Sequence, residues 1–368
     1  MRFVLFYFLI FSLLGGQYLD SKSCSECHQD IYNEHSKSMH HNSSIFKDMF
    51  HKAIVEKASP DKYDCAFCHS PAANNLATLK TGEDKPNPRN VNETDGVSCF
   101  YCHQITKVFQ AKHQNINFYN YKGGKPTFFG NLVDADFSDK HESQTNQIYK
   151  NSTVCMGCHS HKFNSFDVEI CNIKSEPNEP TSDCIGCHMP KTNGSPVNVN
   201  KRGRNNYASH SFFGIRDENF VKQAVDLKIQ QEKDGFSILI KNKMGHQLIL
   251  QPMRMKYVKI TIKRNGKIIW QNFTNSPLED KRATFTVAFK NSENVEVLPP
   301  QAKNILFKNN LAINEARVIS YDFDLQKSDE VTASWHSMIV RPQLAKELGL
   351  GTEYLKVFDG VVKKLIAK

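Results

Sequence analysis

Cys99-Phe100-Tyr101-Cys102-His103 is one of five copies of a single pentapeptide pattern. The others are Cys24-Ser25-Glu26-Cys27-His28, Cys65-Ala66-Phe67-Cys68-His69, Cys155-Met156-Gly157-Cys158-His159 and Cys184-Ile185-Gly186-Cys187-His188. Cys-x-x-Cys-His is the attachment signature of c-type haem. The two thiols, three residues apart on one helical turn, add across the haem vinyl groups, and the next residue projects toward the iron. That histidine is the proximal axial ligand. Zinc ribbons and thiol–disulfide exchange also use Cys-x-x-Cys. Zinc, however, does not require a histidine after every second cysteine, and a redox motif does not recur five times outside a βαβ context. The pattern takes ten of the eleven cysteines. It therefore predicts five covalently bound haem c groups. The expected proximal ligands are His28, His69, His103, His159 and His188. The leftover Cys171 reads as a small buried apolar residue.

Around the motifs, the stretch 21–214 is rich in Cys, His, Asn, Ser and Lys and poor in apolar periodicity. Such a stretch cannot build an ordinary side-chain core. The porphyrins must form it, wrapped by short helices and loops, so folding and haem attachment are coupled. Segments 81–94 and 177–182 read as exposed loops. From about Phe220 the pattern changes to short alternating segments at 224–229, 236–240, 256–263, 267–270, 295–298, 317–325 and 331–340, with Asn265-Gly266 as a hairpin turn. These predict an all-β, immunoglobulin-like sandwich. Leu344, Leu348, Tyr354, Phe358, Val361 and Leu365 predict a C-terminal helix with an apolar stripe. The expected organisation is a signal peptide at 1–17, a helical, loop-rich pentahaem domain at 18–215, a β-sandwich at 220–340 and a helical tail at 341–368.

The N-terminus carries Arg2, an apolar run from Phe3 to Leu14 and Gly15-Gly16-Gln17. That is the shape of a secretory signal, too short for a comfortable membrane span and without a lipobox cysteine. Export to the periplasm suits haem c, which is attached outside the cytoplasm; an uncleaved anchor or peripheral membrane association is the alternative. The formal net charge of +9 would ordinarily raise the question of nucleic acid. Five haems bring about ten propionate charges, which offsets it, and the lysines are dispersed, so nucleic acid is excluded as a partner.

The sixth iron position decides between carrying electrons and performing chemistry. Of fifteen histidines, ten lie outside the proximal positions: His35, His40, His41, His51, His113, His141, His161, His210, His246 and His336. That is enough to give every haem a second imidazole.

The motifs and their flanks resemble the multihaem cytochrome c family typified by cytochrome c554, itself related to the haem cores of hydroxylamine oxidoreductase and pentahaem nitrite reductases. The resemblance covers 21–214. His35-Ser36-Lys37-Ser38-Met39-His40 is similar to the family's aromatic-x-x-Ser-x-His element, with His35 where an aromatic is usual. Gly96-Val97-Ser98-Cys99 is similar to its Gly-Val-x-Cys approach to a haem motif. Cys187-His188-Met189-Pro190 and His210-Ser211-Phe212 are similar to its closing elements. The resemblance implies His40 and His210 as distal ligands, and places His113 and His141 where such folds often carry one. Asn242-Lys243-Met244-Gly245-His246 is similar to an Asn-x-x-Gly-His element of β domains appended to some multihaem cytochromes, although the usual Pro-Gly that follows is replaced by Gln247-Leu248. His246 is thus the fifth distal candidate. His51, on an expected helix at 45–55, reads as a ligand or a surface residue, His161 as a propionate contact, and His336 as structural.

The function expected is electron transfer in a respiratory chain, between a quinol-linked donor and a terminal reductase or oxidase, with no catalytic residue. The alternative is an oxidoreductase acting on a small nitrogen or sulfur compound at one five-coordinate haem. The Cys-x-x-Cys-Lys often found at the catalytic haem of related nitrite reductases does not occur here.

Overall fold

A computed structural model describes residues 18–120, 124–173 and 183–368. The expected signal peptide and the whole of the 177–182 loop lie outside the described residues.

The first part, to about Gly214, is built of short pieces. Its longest helix is Met49–Ala58. Around it stand one- and two-turn helices and two-stranded ladders, among them Ile105–Phe109 with Ile116–Tyr119 and His161–Phe163 with Glu169–Asn172. The apolar clusters here are small, one around Leu79 and Tyr63, another around Tyr101 and Ile105. The 81–94 segment is an exposed loop only in part, because Val91–Thr94 closes into a helical turn that buries Glu93. The Glu93 carboxylate accepts from Asn87 N and Asn90 Nδ2, which satisfies the buried charge locally.

The second part carries two sheets. Gly235–Asn242 is the centre of a three-stranded sheet, flanked by Val225–Glu232 and Ala316–Asp322. Met255–Arg264 is the hub of a seven-stranded sheet and pairs with Lys267–Gln271, Thr284–Lys290 and Glu330–Met338. Asn265 and Gly266 both have positive φ, the conformation a type I′ hairpin needs. Leu227, Phe236, Ile238 and Ile240 of one sheet share a buried cluster with Val258, Ile260, Ile262 and Trp335 of the other. The β region thus has two sheets that contribute to one buried cluster.

The tail departs from the sequence reading. Pro342–Glu347 is α-helical and Thr352–Leu355 a 3₁₀ turn, but Val357–Ile366 is a strand paired antiparallel with Glu330–Met338. The i, i+3, i+4 spacing of its apolar residues suggests a helix. Gly360 and the β-branched Val357, Val361, Val362 and Ile366 oppose one, and the open edge of the Glu330–Met338 strand offers a complete hydrogen-bond ladder instead. Gly360 and Val361 together face Trp335 as a bulge between the pairs Ser334–Val362 and His336–Asp359.

The two parts are packed on each other. Phe50 and Ile54 of the long helix lie against Val340 and Leu344. Asn164 Nδ2 donates to Pro299 O and Ala302 O at 3.0 and 2.8 Å.

A Cβ on Gly360 would sit 2.4 Å from Cδ1 of the fully buried Trp335. Gly360→Val should therefore destabilise the β region by about 1–3 kcal/mol, the usual cost of overpacking. Calorimetric unfolding of the holoprotein checks this; an unchanged transition would show that the contact is relieved without cost.

Candidate haem sites

Each Cys-x-x-Cys-His sequence forms the same turn. The histidine N–H returns to the carbonyl of the first cysteine at 2.9 Å in His28, 3.0 Å in His69 and His103, and 2.8 Å in His159. Three turns are held at their start by a side chain that accepts from the backbone: Asp20 from Ser23 N, Ser98 from Tyr101 N and Asp183 from Gly186 N. This capping fixes where the turn begins and hence where the histidine points.

Every motif histidine faces a second imidazole. The ring centres of His28 and His141 are 6.4 Å apart, those of His103 and His210 6.3 Å, and those of His188 and His246 6.3 Å, with interplanar angles of 30°, 27° and 13°. Two metal–imidazole bonds of about 2 Å, plus about 1 Å from each nitrogen to its ring centre, come to about 6 Å. These three spacings therefore fit one iron between the rings.

The hydrogen bonds fit as well. His28 Nδ1 bonds Pro196 O at 2.7 Å, His103 Nδ1 bonds Phe129 O at 2.7 Å, and His188 Nδ1 bonds Phe213 O at 2.5 Å. On the facing rings, His210 Nδ1 bonds Ala208 O at 2.8 Å, His246 Nδ1 bonds Gln247 O at 2.9 Å, and His141 Nδ1 bonds Glu142 O at 3.2 Å. A carbonyl only accepts, so Nδ1 carries the proton and Nε2 keeps the lone pair a metal needs.

The other two pairs are closer. His159 and His40 have ring centres 5.7 Å apart and Nε2 atoms 3.4 Å apart. His69 and His51 have ring centres 3.7 Å apart and share an Nδ1–Nδ1 contact of 2.5 Å, with the buried His51 Nε2 left unpartnered. These last rings must separate to admit an iron, and His51 Nε2 is the atom with no competing bond. Burial first, and neighbouring imidazoles second, push His40 down to about 3 and His159 to about 4. Burial likewise holds His210 at about 3 and His246 at about 4. All four stay neutral, the ligating form.

Four of the five distal candidates read from the sequence, His40, His141, His210 and His246, thus stand opposite a motif histidine. His113 does not: its ring is 54% exposed and bonds Asp167 Oδ1 at 2.8 Å. His51 faces the remaining motif instead. It lies on Met49–Ala58 with Asp48 capping its N–H, and its burial is the signal that sequence spacing alone could not supply. Among the other histidines, His35 is buried and bonds Val97 O, His161 bonds Ala111 O, and His336 sits between Ser334 and Asp359.

Long-range backbone contacts place the facing rings. Gly96 has φ +69°, and a Cβ there would lie 2.6 Å from the carbonyls of His40 and His41. Only glycine lets this segment pass so close, and Val97 N then bonds His40 O at 2.9 Å. Glu34 Oε2 accepts from His210 N at 2.7 Å. The buried Asn242 donates to His246 O and Ala312 O, both at 2.9 Å, and accepts from Met244 N at 3.0 Å. The Asn-x-x-Gly-His element is thus a loop tied at its first residue.

The motifs also touch one another. The thiols of Cys24 and Cys99 are close neighbours, as are those of Cys68 and Cys158, and of Cys155 and Cys184. The third and fourth sites are joined by Phe212, 4.1 Å from His40 and 5.8 Å from His210 between ring centres. The contact order is therefore first to third to fourth, with the second and fifth both on the fourth. Cys171 lies half-buried on the Glu169–Asn172 strand, near enough to Cys68 of the second motif to feel its charge, and burial raises its thiol to about 12.

Residues 23–104 match the model of the family described as Cytochrome c554 and c-prime. No curated protein matches the chain. The fold is similar to that of a penta-heme cytochrome c552 from Thermochromatium tepidum, with a TM-score of 0.76 and 21% identity over 95% of this chain and 99% of that one. A fold shared end to end with a penta-heme protein, and a matched segment that contains the first three attachment turns, agree with what the turns require chemically. Residues 23–104 thus resemble the cytochrome c554 family, the fold is that of a penta-heme cytochrome, and the chain carries five turns of the kind to which haem c is attached.

Proposed function

We propose that the chain is an exported electron-transfer protein of a respiratory chain whose five haems each take two histidines. One observation carries this reading: each motif histidine faces another imidazole, so neither axial position is left for a substrate. Bound haem c supplies reversible one-electron iron chemistry, and paired imidazoles confine it to that. The proposed pairs are His28 with His141, His69 with His51, His103 with His210, His159 with His40 and His188 with His246. His51 takes the place expected for His113.

The contacts between motifs support a continuous path. Cys27 and Cys187 are the motif cysteines that are exposed. They belong to the first and fifth motifs, which lie at opposite ends of the contact order, so these are the proposed points of exchange with a quinol-linked donor and a terminal reductase or oxidase. The 220–340 part is read as an immunoglobulin-like sandwich that caps the 18–215 pentahaem part and lends it His246. Export to the periplasm rests on where haem c is attached. No helix of the described residues is long and apolar enough to cross a membrane.

Haem analysis of the purified protein should give five haems per chain, and Cys65→Ala/Cys68→Ala should lower this to four. Electron paramagnetic resonance of the ferric protein should show low-spin iron only. A high-spin signal that shifts on adding nitrite or hydroxylamine would replace this reading with an enzyme acting at an open haem.

His246→Ala and His51→Ala should each turn one of the five haems high-spin. His113→Ala should turn none. An unaltered spectrum for His51→Ala would return the second motif's partner to another residue.

A further inference from the structure

Two cations of the β region lie against the fourth and fifth haem sites and have no acid to pair with. Lys256 stands on the Met255–Arg264 strand, Arg254 immediately precedes that strand, and the charge of Arg254 reaches Lys256. Lys256 Nζ donates to Leu248 O at 2.9 Å, two residues beyond His246. The Arg254 Nε is fully enclosed and bonds nothing. The ion pairs of this region belong to Lys243 with Asp226 and Arg264 with Asp329, and no carboxylate stands within 4 Å of either Arg254 or Lys256 among the described residues. Asp48, whose charge reaches Arg254, is occupied in capping Phe50 N and His51 N.

The field between them is positive. Burial first, then Arg216, brings Arg254 down to about 10; burial first, then Arg254, brings Lys256 down to about 7. His159 feels the charge of Arg254, and His246 that of Lys256. An enclosed guanidinium without a partner is costly. Such a pair calls for carboxylate or another oxyanion.

Each haem c brings two propionates, and the two histidine pairs beside these cations mark where two haems lie. We infer that Arg254 and Lys256 are the counter-ions of propionates on the haems held by His159 and His188. The β region then supplies charge as well as an imidazole to the haem core. This goes beyond the electron-carrier reading and rests only on haem being bound at the fourth and fifth motifs, not on the identity of the second histidines.

The test is a spectroelectrochemical titration of the five-haem holoprotein. Removing a cation beside a haem disfavours its reduced, less positive state. In Arg254→Gln and Lys256→Gln, haem count and low-spin character should be retained while one or two midpoint potentials move downward. Arg254→Lys and Lys256→Arg should restore them, and Lys243→Gln, on an exposed ion pair, should move none. Midpoints in both glutamine variants that coincide with wild type overturn the assignment. The wild-type midpoints should also be indifferent to added sulfate or nitrite at constant ionic strength. A saturable shift would give the cations to an exogenous oxyanion and overturn the propionate assignment; if the glutamine variants fail to mature, this wild-type titration decides alone.

Discussion

In the proposed pairing each motif imidazole is held at a fixed distance from a second one, and much of the first part of the chain is arranged around those pairs. A separation of about 6 Å between ring centres is the span of an iron, not of side-chain packing. Imidazoles left to themselves would close up, as His51 and His69 do at 3.7 Å. In the three pairs spaced at about 6.3 Å, each ring also has a carbonyl behind it. Pro196, Phe129 and Phe213 fix Nδ1 on one side, and Ala208, Gln247 and Glu142 on the other. None of these carbonyls belongs to a long helix or a central strand. They lie in loops and short ladders, which explains why 18–214 is irregular: the backbone serves as scaffolding for ring nitrogens rather than as a layer over a core.

That arrangement separates the two parts of the chain energetically. The β region owns a large apolar cluster, with Trp335, Phe236 and Phe285 fully enclosed. The haem region has only small clusters, and its buried groups include His35, His51, Glu93 and Asp95. Asp95 shows how such groups are satisfied: its carboxylate accepts from Tyr18 Oη and from the N–H and hydroxyl of Ser21, which ties the start of the first motif to the approach to the third. A region stabilised this way depends on its prosthetic groups for the apolar contact that side chains do not provide.

What could be read from the sequence follows the range of the interaction. The five attachment turns are local, set by spacing within five residues, and so are legible. The strands of 225–242 and 255–271 are legible because alternation and the Asn265-Gly266 turn are also local. The second imidazoles are not, because nothing within a few residues of His51 or His113 says which ring is buried. His113 is drawn outward by Asp167, 54 residues away, and His51 inward by the packing of its helix on Val340 and Leu344. The tail misleads for a related reason. Its apolar residues satisfy both a helical stripe and one face of a strand, and the deciding partner, the free edge at Glu330–Met338, lies in tertiary structure.

His246 shows how one residue of the second part comes to serve the first. Its loop leaves the Gly235–Asn242 strand and is pinned at once by Asn242, which reaches His246 O, Ala312 O and Met244 N. With the loop closed by that side chain, the Pro-Gly that follows in similar elements has no turn left to make, and Gln247 is free for another task. Its Nε2 donates to Asn172 O in the haem region at 2.7 Å. The same short loop therefore presents an imidazole to His188 and clamps the neighbouring hairpin. Removing the β region would withdraw both at once, so the pairing proposed for the fifth motif draws on both parts of the chain and depends on each of them being folded.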